Sequence, residues 1–496
     1  MTSFLQAPPR GIIFDLGDVL FTWSANTKTT IPPRKLRDIR STPIWYNYER
    51  GEITRDVCYE LSARQFSLPA SEIAKAFVQA RESLCSNDAI VSFLRELRRD
   101  PVIEVYAMSN IGKEDFEDLA EEMDWSLFDR VFTSAAAGMR KPEAGFYRHV
   151  LEQVGLHANQ LIFIDDKEEN VQAAQALGIR GSTFSQSTVD DLHEMFYSAV
   201  GKGWRYLFQN ANQFDSITDS GVSFEDNFAK LLIVDSLQDE TLVDLSWGSR
   251  KTWNFFTGKM LPRLSTLHRT LWSGATNKDV LEGQAVLIPG GVFPDDLDTT
   301  SLALKALRPS STKFISSVLD RMAEYVNEDG SFQTYYDRRK LRVDPIVSAN
   351  ILACFYSYDR GHEFDRTLTL IRSMLLDRSY MQGTRYYPSP DCCLGFIGRL
   401  LRSSDDVHLQ KTLALLLESR VRERLGLGGN ALDLAMRILT CAQMGIPCED
   451  DRLALLDLQC EDGGWETGWM YCYGSTGMKI GNRGMTTAMA VAALSS

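Results

Sequence analysis

The sequence has no apolar run near 18 residues, so it offers no membrane-spanning helix. Its nine cysteines include no CxxC pair. The odd count and irregular spacing argue against a disulfide frame or a thiolate zinc site. Six histidines are scattered without an HxxxH pair, which removes the helical two-histidine zinc site. Positive charge is in deficit, with 53 Lys and Arg against 66 Asp and Glu. A net charge of -13 argues against a nucleic-acid or anionic-membrane partner. It leaves room for a small basic pocket. The opening "MTSFLQAPPRG" lacks the basic start and apolar core of a signal peptide. The expectation is a cytoplasmic protein with reduced thiols, and a homo-oligomer is compatible with this composition.

What is present is 496 residues with 44% hydrophobic content, enough for two or three globular domains. In the first 200 residues short apolar runs end in polar side chains. "GIIFDLGDVLF" brings Ile12–Phe14 to Asp15, "VIEVYAMSN" ends in Ser109 and Asn110, and "LIFIDDKEEN" ends in Asp165 and Asp166. "RVFTSAAAGMRKPEAGFY" carries Lys141 in a loop before a helix. Strands alternating with helices predict a doubly wound α/β fold. The carboxyl ends of its strands converge on one crevice.

Asp, Ser, Lys and an Asp pair, in that order, suit phosphoryl transfer. A carboxylate attacks phosphorus. A hydroxyl and an ammonium hold phosphate oxygens, and further carboxylates suit Mg²⁺. Over about residues 8–190 this set resembles the haloacid dehalogenase superfamily of phosphatases. The resemblance implies Asp15 as nucleophile, Ser109 and Lys141 as phosphate holders, and Asp15, Gly17, Asp165 and Asp166 as the Mg²⁺ positions. It also implies a helical cap over about residues 22–90. One departure stands out: the family's general acid, two residues past the nucleophile, is here Gly17, and Asp18 comes one later. "DDKEE" also matches an Asp-rich motif of ionising terpene synthases, but its place after a buried strand favours the phosphatase-type reading.

After about residue 200 the pattern changes. "GKGWRYLFQNANQFDSITDSGVS" reads as an interdomain segment. Beyond it, apolar residues recur at helical spacing, as in "NALDLAMRILTCAQMG". "EDGSFQT" from Glu328 and "EDGGWET" from Glu461 match at four of seven positions. Thr299–Leu307 aligns with Thr486–Leu494 without gaps, which sets Asp298 against Met485. Inner helices are predicted to start near Thr299, Pro345, Pro390, Asn430 and Thr486. Their spacing, roughly 40 to 55 residues, is that of stacked helical hairpins. Closed on itself, such a set makes an α/α barrel with helix N-termini around one mouth.

"LQCEDGGW", Leu458–Trp465, resembles the Q…GxW repeat of squalene-cyclase-like barrels, where its plainest role is bracing. "DLDTT", Asp296–Thr300, resembles the DxDD acid motif of class II terpene cyclases in a DxDTT form. Together with the first half, it is similar to haloacid dehalogenase-like/class II cyclase fusions that make drimane-type sesquiterpenes. The implied plan is residues 1–200 for the first domain and 201–496 for an all-α barrel. The implied substrate is farnesyl diphosphate, with Asp298 as proton donor and Asp296, Thr299 and Thr300 tuning or holding it. Capping of a helix by Asp298 or Asp296 is the plain alternative. Aromatic faces stabilise a carbocation, and Phe293, Tyr386, Tyr387, Trp465 and Trp469 are candidates. Lys479 and Arg483, in the glycine-rich "YGSTGMKIGNRGM", are candidates for the diphosphate; an exposed loop is equally consistent. Two rival readings stay open: a cyclase with a non-catalytic N-terminal module, and a phosphatase with a helical protein-interaction repeat.

Overall fold

The computed structural model describes residues 7–496 apart from 24–26, 101, 120–122, 249, 257–293, 340 and 475. The chain forms two compact units, Pro8–Phe196 and Tyr197–Ser496.

In the first unit the apolar runs become a parallel sheet. Its strands are β1 Gly11–Phe14, β4 Glu104–Ser109, β5 Arg130–Thr133, β6 Leu161–Asp165 and β7 Arg180–Thr183, in the order β5-β4-β1-β6-β7. β1, β4 and β6 are apolar along most of their length because helices cover both faces of such a sheet. Phe14 pairs with Ala107 and Ile164, so the next residue, Asp15, stands level with Met108 and Asp165. The chain leaves β1 to one side for β4 and β5 and crosses to the other for β6 and β7. Their loops therefore part beside β1, which opens a crevice there.

A short antiparallel pair, β2 Phe21–Trp23 and β3 Leu84–Ser86, frames the cap. Its four helices are Pro33–Arg40, Pro43–Glu49, Arg55–Phe66 and Ala70–Arg81. Pro43 follows the N-cap Thr42, whose side chain accepts from the Trp45 amide, a strong helix start. Trp45 stacks on Phe77 at 4.5 Å between ring centres. With Leu36, Ile39 and Ile73 they give the cap its own core.

Six helices form a closed ring in the second unit: Asn227–Leu237, Leu297–Leu307, Pro345–Ser357, Pro390–Arg402, Ala431–Met444 and Arg483–Leu494. Each packs on the next, and the last on the first. Each opens on a side-chain cap, from Asp226, Asp296, Asp344, Ser389, Asn430 and Asn482 respectively. The first of these helices was not anticipated. "NFAKLLIVDSL" is buried on nearly every side, so it lacks the one-sided stripe that reveals a helix. The supposed interdomain segment is also revised. Ala199–Gln209 is a helix packed against Arg483–Leu494. Its Gly203 marks close approach: a Cβ there would lie 2.5 Å from Val491 and 3.0 Å from Trp465.

The barrel carries a small antiparallel sheet as well. β8 Ser216–Thr218, β9 Ser223–Phe224, β10 Tyr471–Tyr473 and β11 Met478–Gly481 lie in the order β10-β11-β8-β9. The glycine-rich "YGSTGMKIG" is thus a hairpin, with Tyr471 opposite Ile480 and Tyr473 opposite Met478.

Candidate active sites

At the carboxyl edge of the parallel sheet, Lys141 is 1% exposed. Its Nζ lies 2.8 Å from Asp15 Oδ1. It donates to Asp165 Oδ2 at 2.6 Å and to the Met108 carbonyl at 2.9 Å. All three ammonium donors are engaged. Asn110 fixes the Lys141 backbone, accepting from its amide at 2.8 Å and donating to its carbonyl at 2.9 Å. Asn170 and the Lys167 amide donate to Asp165. Burial pushes Asp15 above the usual carboxylate range despite Lys141. Burial also raises Asp165, but the Lys141 charge together with the hydrogen bonds from Lys141, the Lys167 amide and Asn170 outweighs it, and the net shift is downward. Asp166 is pushed up to about 6, chiefly by burial. Among the described residues, Asp15, Asp165 and Asp166 bring one carboxylate oxygen each within 4.8 Å of the others. An all-oxygen acidic set of this kind fits Mg²⁺.

Ser109 lines the cavity beside this site, and so do Gly17 and Asp18. A Cβ at Gly17 would meet nothing within 4 Å, so no packing constraint excludes a side chain there. Asp18 has a positive φ of 58° and is exposed.

The second site lies inside the barrel mouth. Asp296 is the N-cap of the Leu297–Leu307 helix. It accepts from the Thr299 amide at 2.6 Å, the Thr299 hydroxyl at 3.0 Å and the Phe255 amide at 3.1 Å. Asp298, in the first turn, is therefore not the cap. The Tyr387 hydroxyl donates to its Oδ2 at 2.6 Å and Asn350 Nδ2 to its Oδ1 at 2.9 Å. Burial pushes Asp298 well above the usual range; Tyr387 and Asn350 oppose this and Asp296 adds to it. Burial brings Asp296 up to about 7, against its three donors.

Asp298, Asp296 and Thr299 line one cavity with Tyr386 and Tyr387. Its other walls include Phe228, Phe255, Tyr335, Tyr471 and Tyr473. Phe228 comes from a helix start, Tyr471 and Tyr473 from the small sheet, and Phe255 and Tyr335 from connecting segments. Asp344, the cap of the next helix, also accepts from the Tyr386 amide at 3.1 Å and so holds the Tyr386–Tyr387 loop.

Other candidate residues lie elsewhere. Thr300 donates to the Asp296 carbonyl and accepts from the Trp253 amide, a tie between segments. Trp465 is fully buried and donates to the Leu455 carbonyl at 2.8 Å. Trp469 is half-buried and is not among the cavity walls. Arg483 is paired with Asp462 at 2.8 and 2.9 Å and lies over the Tyr206 ring, so its charge is already engaged. Lys479 is exposed. It neighbours Ile480, which lines the cavity, and strand alternation turns Lys479 the other way. Phe293 lies outside the described residues. Sequence reasoning missed Asn350 and Asp344. An amide in the apolar run "PIVSANILACF" was the available signal, since a buried amide needs a partner.

Known proteins match both halves. Residues 9–178 match the haloacid dehalogenase-like hydrolase family. Residues 200–271 and 264–358 match the sesquiterpene cyclase astC-like C-terminal domain. Sesquiterpene phosphatase astK of Aspergillus oryzae is 44% identical over 179 residues, 36% of this chain and 91% of that protein. A HAD family enzyme of Bacteroides thetaiotaomicron, solved with magnesium and inorganic phosphate, aligns over 35% of this chain and 93% of its own, at 22% identity and a TM-score of 0.30. Drimenol cyclase drtB of Aspergillus calidoustus is 39% identical over 490 residues, 98% of this chain and 88% of that protein. With that identity across nearly its full length, the chain belongs to the sesquiterpene cyclase family of drtB, in which a haloacid dehalogenase-like hydrolase unit precedes the cyclase unit.

Proposed function

We propose that the C-terminal unit cyclises farnesyl diphosphate to a bicyclic drimane-type diphosphate, and that the N-terminal unit then removes phosphate. The observation that carries this reading is Asp298: a buried carboxyl, raised far out of its usual range, on the wall of an aromatic cavity. Alkenes are very weak bases, so their protonation needs an acid kept neutral until it acts. Asp298 gives its proton to the terminal alkene. Tyr387 and Asn350 stabilise the carboxylate that remains, since hydrogen bonds to a charged acceptor are the stronger kind. Asp296 holds the start of the helix and raises the cost of ionising Asp298. Tyrosine and phenylalanine faces stabilise the migrating positive charge. Loss of a proton ends the sequence, and the diphosphate survives. A protein-interaction repeat would leave this arrangement without a purpose.

In the N-terminal unit, Asp15 is the nucleophile toward phosphorus, Ser109 holds a phosphate oxygen, and Lys141 orients Asp15 and exchanges one of its three present contacts for another phosphate oxygen. Asp15, Asp165 and Asp166 would hold Mg²⁺, which offsets phosphate charge. The relatives' names, drimenol cyclase and sesquiterpene phosphatase, support both halves. The test is incubation of purified protein with farnesyl diphosphate and Mg²⁺, without added phosphatase. Bicyclic alcohol or monophosphate is expected. A cyclic diphosphate alone would remove the phosphatase half, and absence of cyclic product would remove the cyclase half.

A further inference from the structure

Cyclisation moves two protons at two places. Asp298 gives one to the terminal alkene, and the last cation loses another from the second ring. The aromatic cavity offers groups at two depths for these steps. Asp298 lies in the first turn of the Leu297–Leu307 helix and is 6% exposed, and its partner Tyr387 is 3% exposed. Tyr335 and Tyr386 line the same cavity but are half-buried. They precede the helices at Pro345 and Pro390, so they stand nearer the mouth. An isoprenoid whose terminal alkene reaches Asp298 leaves its diphosphate toward the mouth. The second ring carries the diphosphate arm and therefore lies beside this outer pair.

The two hydroxyls act on each other. Tyr386 Oη donates to Tyr335 Oη at 3.4 Å, and the rings meet edge to face at 6.5 Å. A phenol that donates its proton keeps lone pairs to accept another. Burial holds the Tyr335 phenol far above its usual range, so it stays a neutral hydroxyl. Negative charge stands behind the pair. Asp344 accepts from the Tyr386 amide at 3.1 Å, and Asp296 is within electrostatic reach of Tyr335. Such charge favours a proton that arrives there. Two other polar groups of the cavity are committed to each other: the Thr299 hydroxyl donates to Asp296, which also accepts from the Thr299 and Phe255 amides.

We infer that the Tyr335–Tyr386 hydroxyl pair takes the last proton and so sets the position of the product alkene, an inference that rests on the cyclase half of the proposed function. A C–H bond next to the cationic carbon breaks, and its electron pair becomes the second bond of the alkene. The proton goes to Tyr386 Oη. The proton that Tyr386 held passes along the hydrogen bond to Tyr335 Oη and then to water at the mouth, which restores both hydroxyls. Neutral hydroxyls suffice because a carbocation is a much stronger acid than a protonated phenol. Asp298 regains its own proton from solvent, and the count closes.

The experiment uses the full-length protein with farnesyl diphosphate and Mg²⁺. Products are freed of phosphate with added alkaline phosphatase and resolved by gas chromatography and mass spectrometry. The readout is the ratio of the main cyclic alkene to its alkene isomers and to the hydroxylated product of water capture. Tyr386→Phe keeps the aromatic face and removes the acceptor, and should lower that ratio about tenfold or more. Tyr335→Phe should shift it the same way by less, since it acts through Tyr386. A residue that only shapes the wall would change the total and leave the ratio. Circular dichroism checks folding. An unchanged ratio in both variants assigns the last proton to another acceptor, such as the substrate's own diphosphate, and overturns the inference. Complete loss of cyclic product from folded Tyr386→Phe overturns it as well. Both results leave the cyclase reading standing, whereas absence of cyclic product from the wild type overturns that reading too.

Discussion

The Tyr387 hydroxyl donates a 2.6 Å hydrogen bond to Oδ2 of Asp298. This contact joins the acid, near the start of one inner helix, to the loop that precedes the helix at Pro390. In the proposed mechanism it ties proton donation to the shape of the aromatic wall. Tyr387→Phe removes a donor that stabilises the carboxylate after proton transfer. A hydrogen bond to a charged group is worth about 1.5–3 kcal/mol, so cyclisation should fall about 10- to 100-fold. Product analysis under single-turnover conditions measures this; an unchanged rate would remove Tyr387 from the chemistry.

Asp298→Asn should abolish cyclisation and leave the fold intact. The amide is nearly isosteric but has no acid proton to give. Asp296→Asn should weaken the reaction less, since Asn also caps helices well. Circular dichroism checks folding, and mass spectrometry of the products checks activity. Wild-type levels of cyclic product from Asp298→Asn would remove the assigned acid.

The pH profile of ring closure should fall on the alkaline side. In the proposed mechanism the active form carries a protonated Asp298. Burial raises its pKa well above the ordinary value, so activity is full below the raised pKa and is lost as pH rises through it. Asp296, at about 7, becomes charged on the way and holds the Asp298 proton more firmly. Initial rates of ring closure between pH 5 and 9 test this. A rate that rises steadily to pH 9 would contradict it.

Asp15→Asn should stop phosphate release without slowing ring closure, because each reaction uses side chains of its own unit. Cyclic diphosphate should then accumulate. Loss of ring closure in a folded Asp15→Asn protein would mean that the units share one catalytic task.

Gly17 sets a further expectation. An alkyl monophosphate must leave as an alkoxide unless an acid protonates it, and such an acid is typically worth 10²–10⁴-fold. The monophosphate should therefore build up during a time course followed by phosphorus NMR. Rapid conversion to free alcohol would identify a proton donor elsewhere, with Asp18 the first to replace.

Much of this was legible in the sequence because strand ends and helix caps are local. Asp15 and Asp165 follow from short apolar runs that end in charge, and Lys141 from a loop before a helix. Spatial partners are not local, and there the sequence was weaker. The repeat alignment is the clearest case. It set Asp298 against Met485, yet the hydrogen bonds set the register one residue away. Asp296 and Asn482 are the caps; Thr300 and Thr486 bond back to them and accept from Trp253 and Gly468 respectively. Asp298 therefore corresponds to Gly484. A Cβ there would lie 2.2 Å from the Phe214 ring, so the sister position has no room for any side chain. Arg483 misled for a related reason: its charge suited a diphosphate, but Asp462, 21 residues earlier in sequence, already holds it. The inner helix Asn227–Leu237 was hidden because uniform burial erases periodicity.

The central claim is that cyclisation starts with protonation, and isotope incorporation tests it most directly. Farnesyl diphosphate is incubated with the Asp15→Asn protein in D₂O, so that the cyclic diphosphate accumulates. The account predicts one deuterium per product, on the ring carbon next to the gem-dimethyl carbon, with both phosphates retained. No such product should form when Asp298→Asn is added to the same protein. A cyclic product without that deuterium, or one formed with loss of diphosphate, would contradict it.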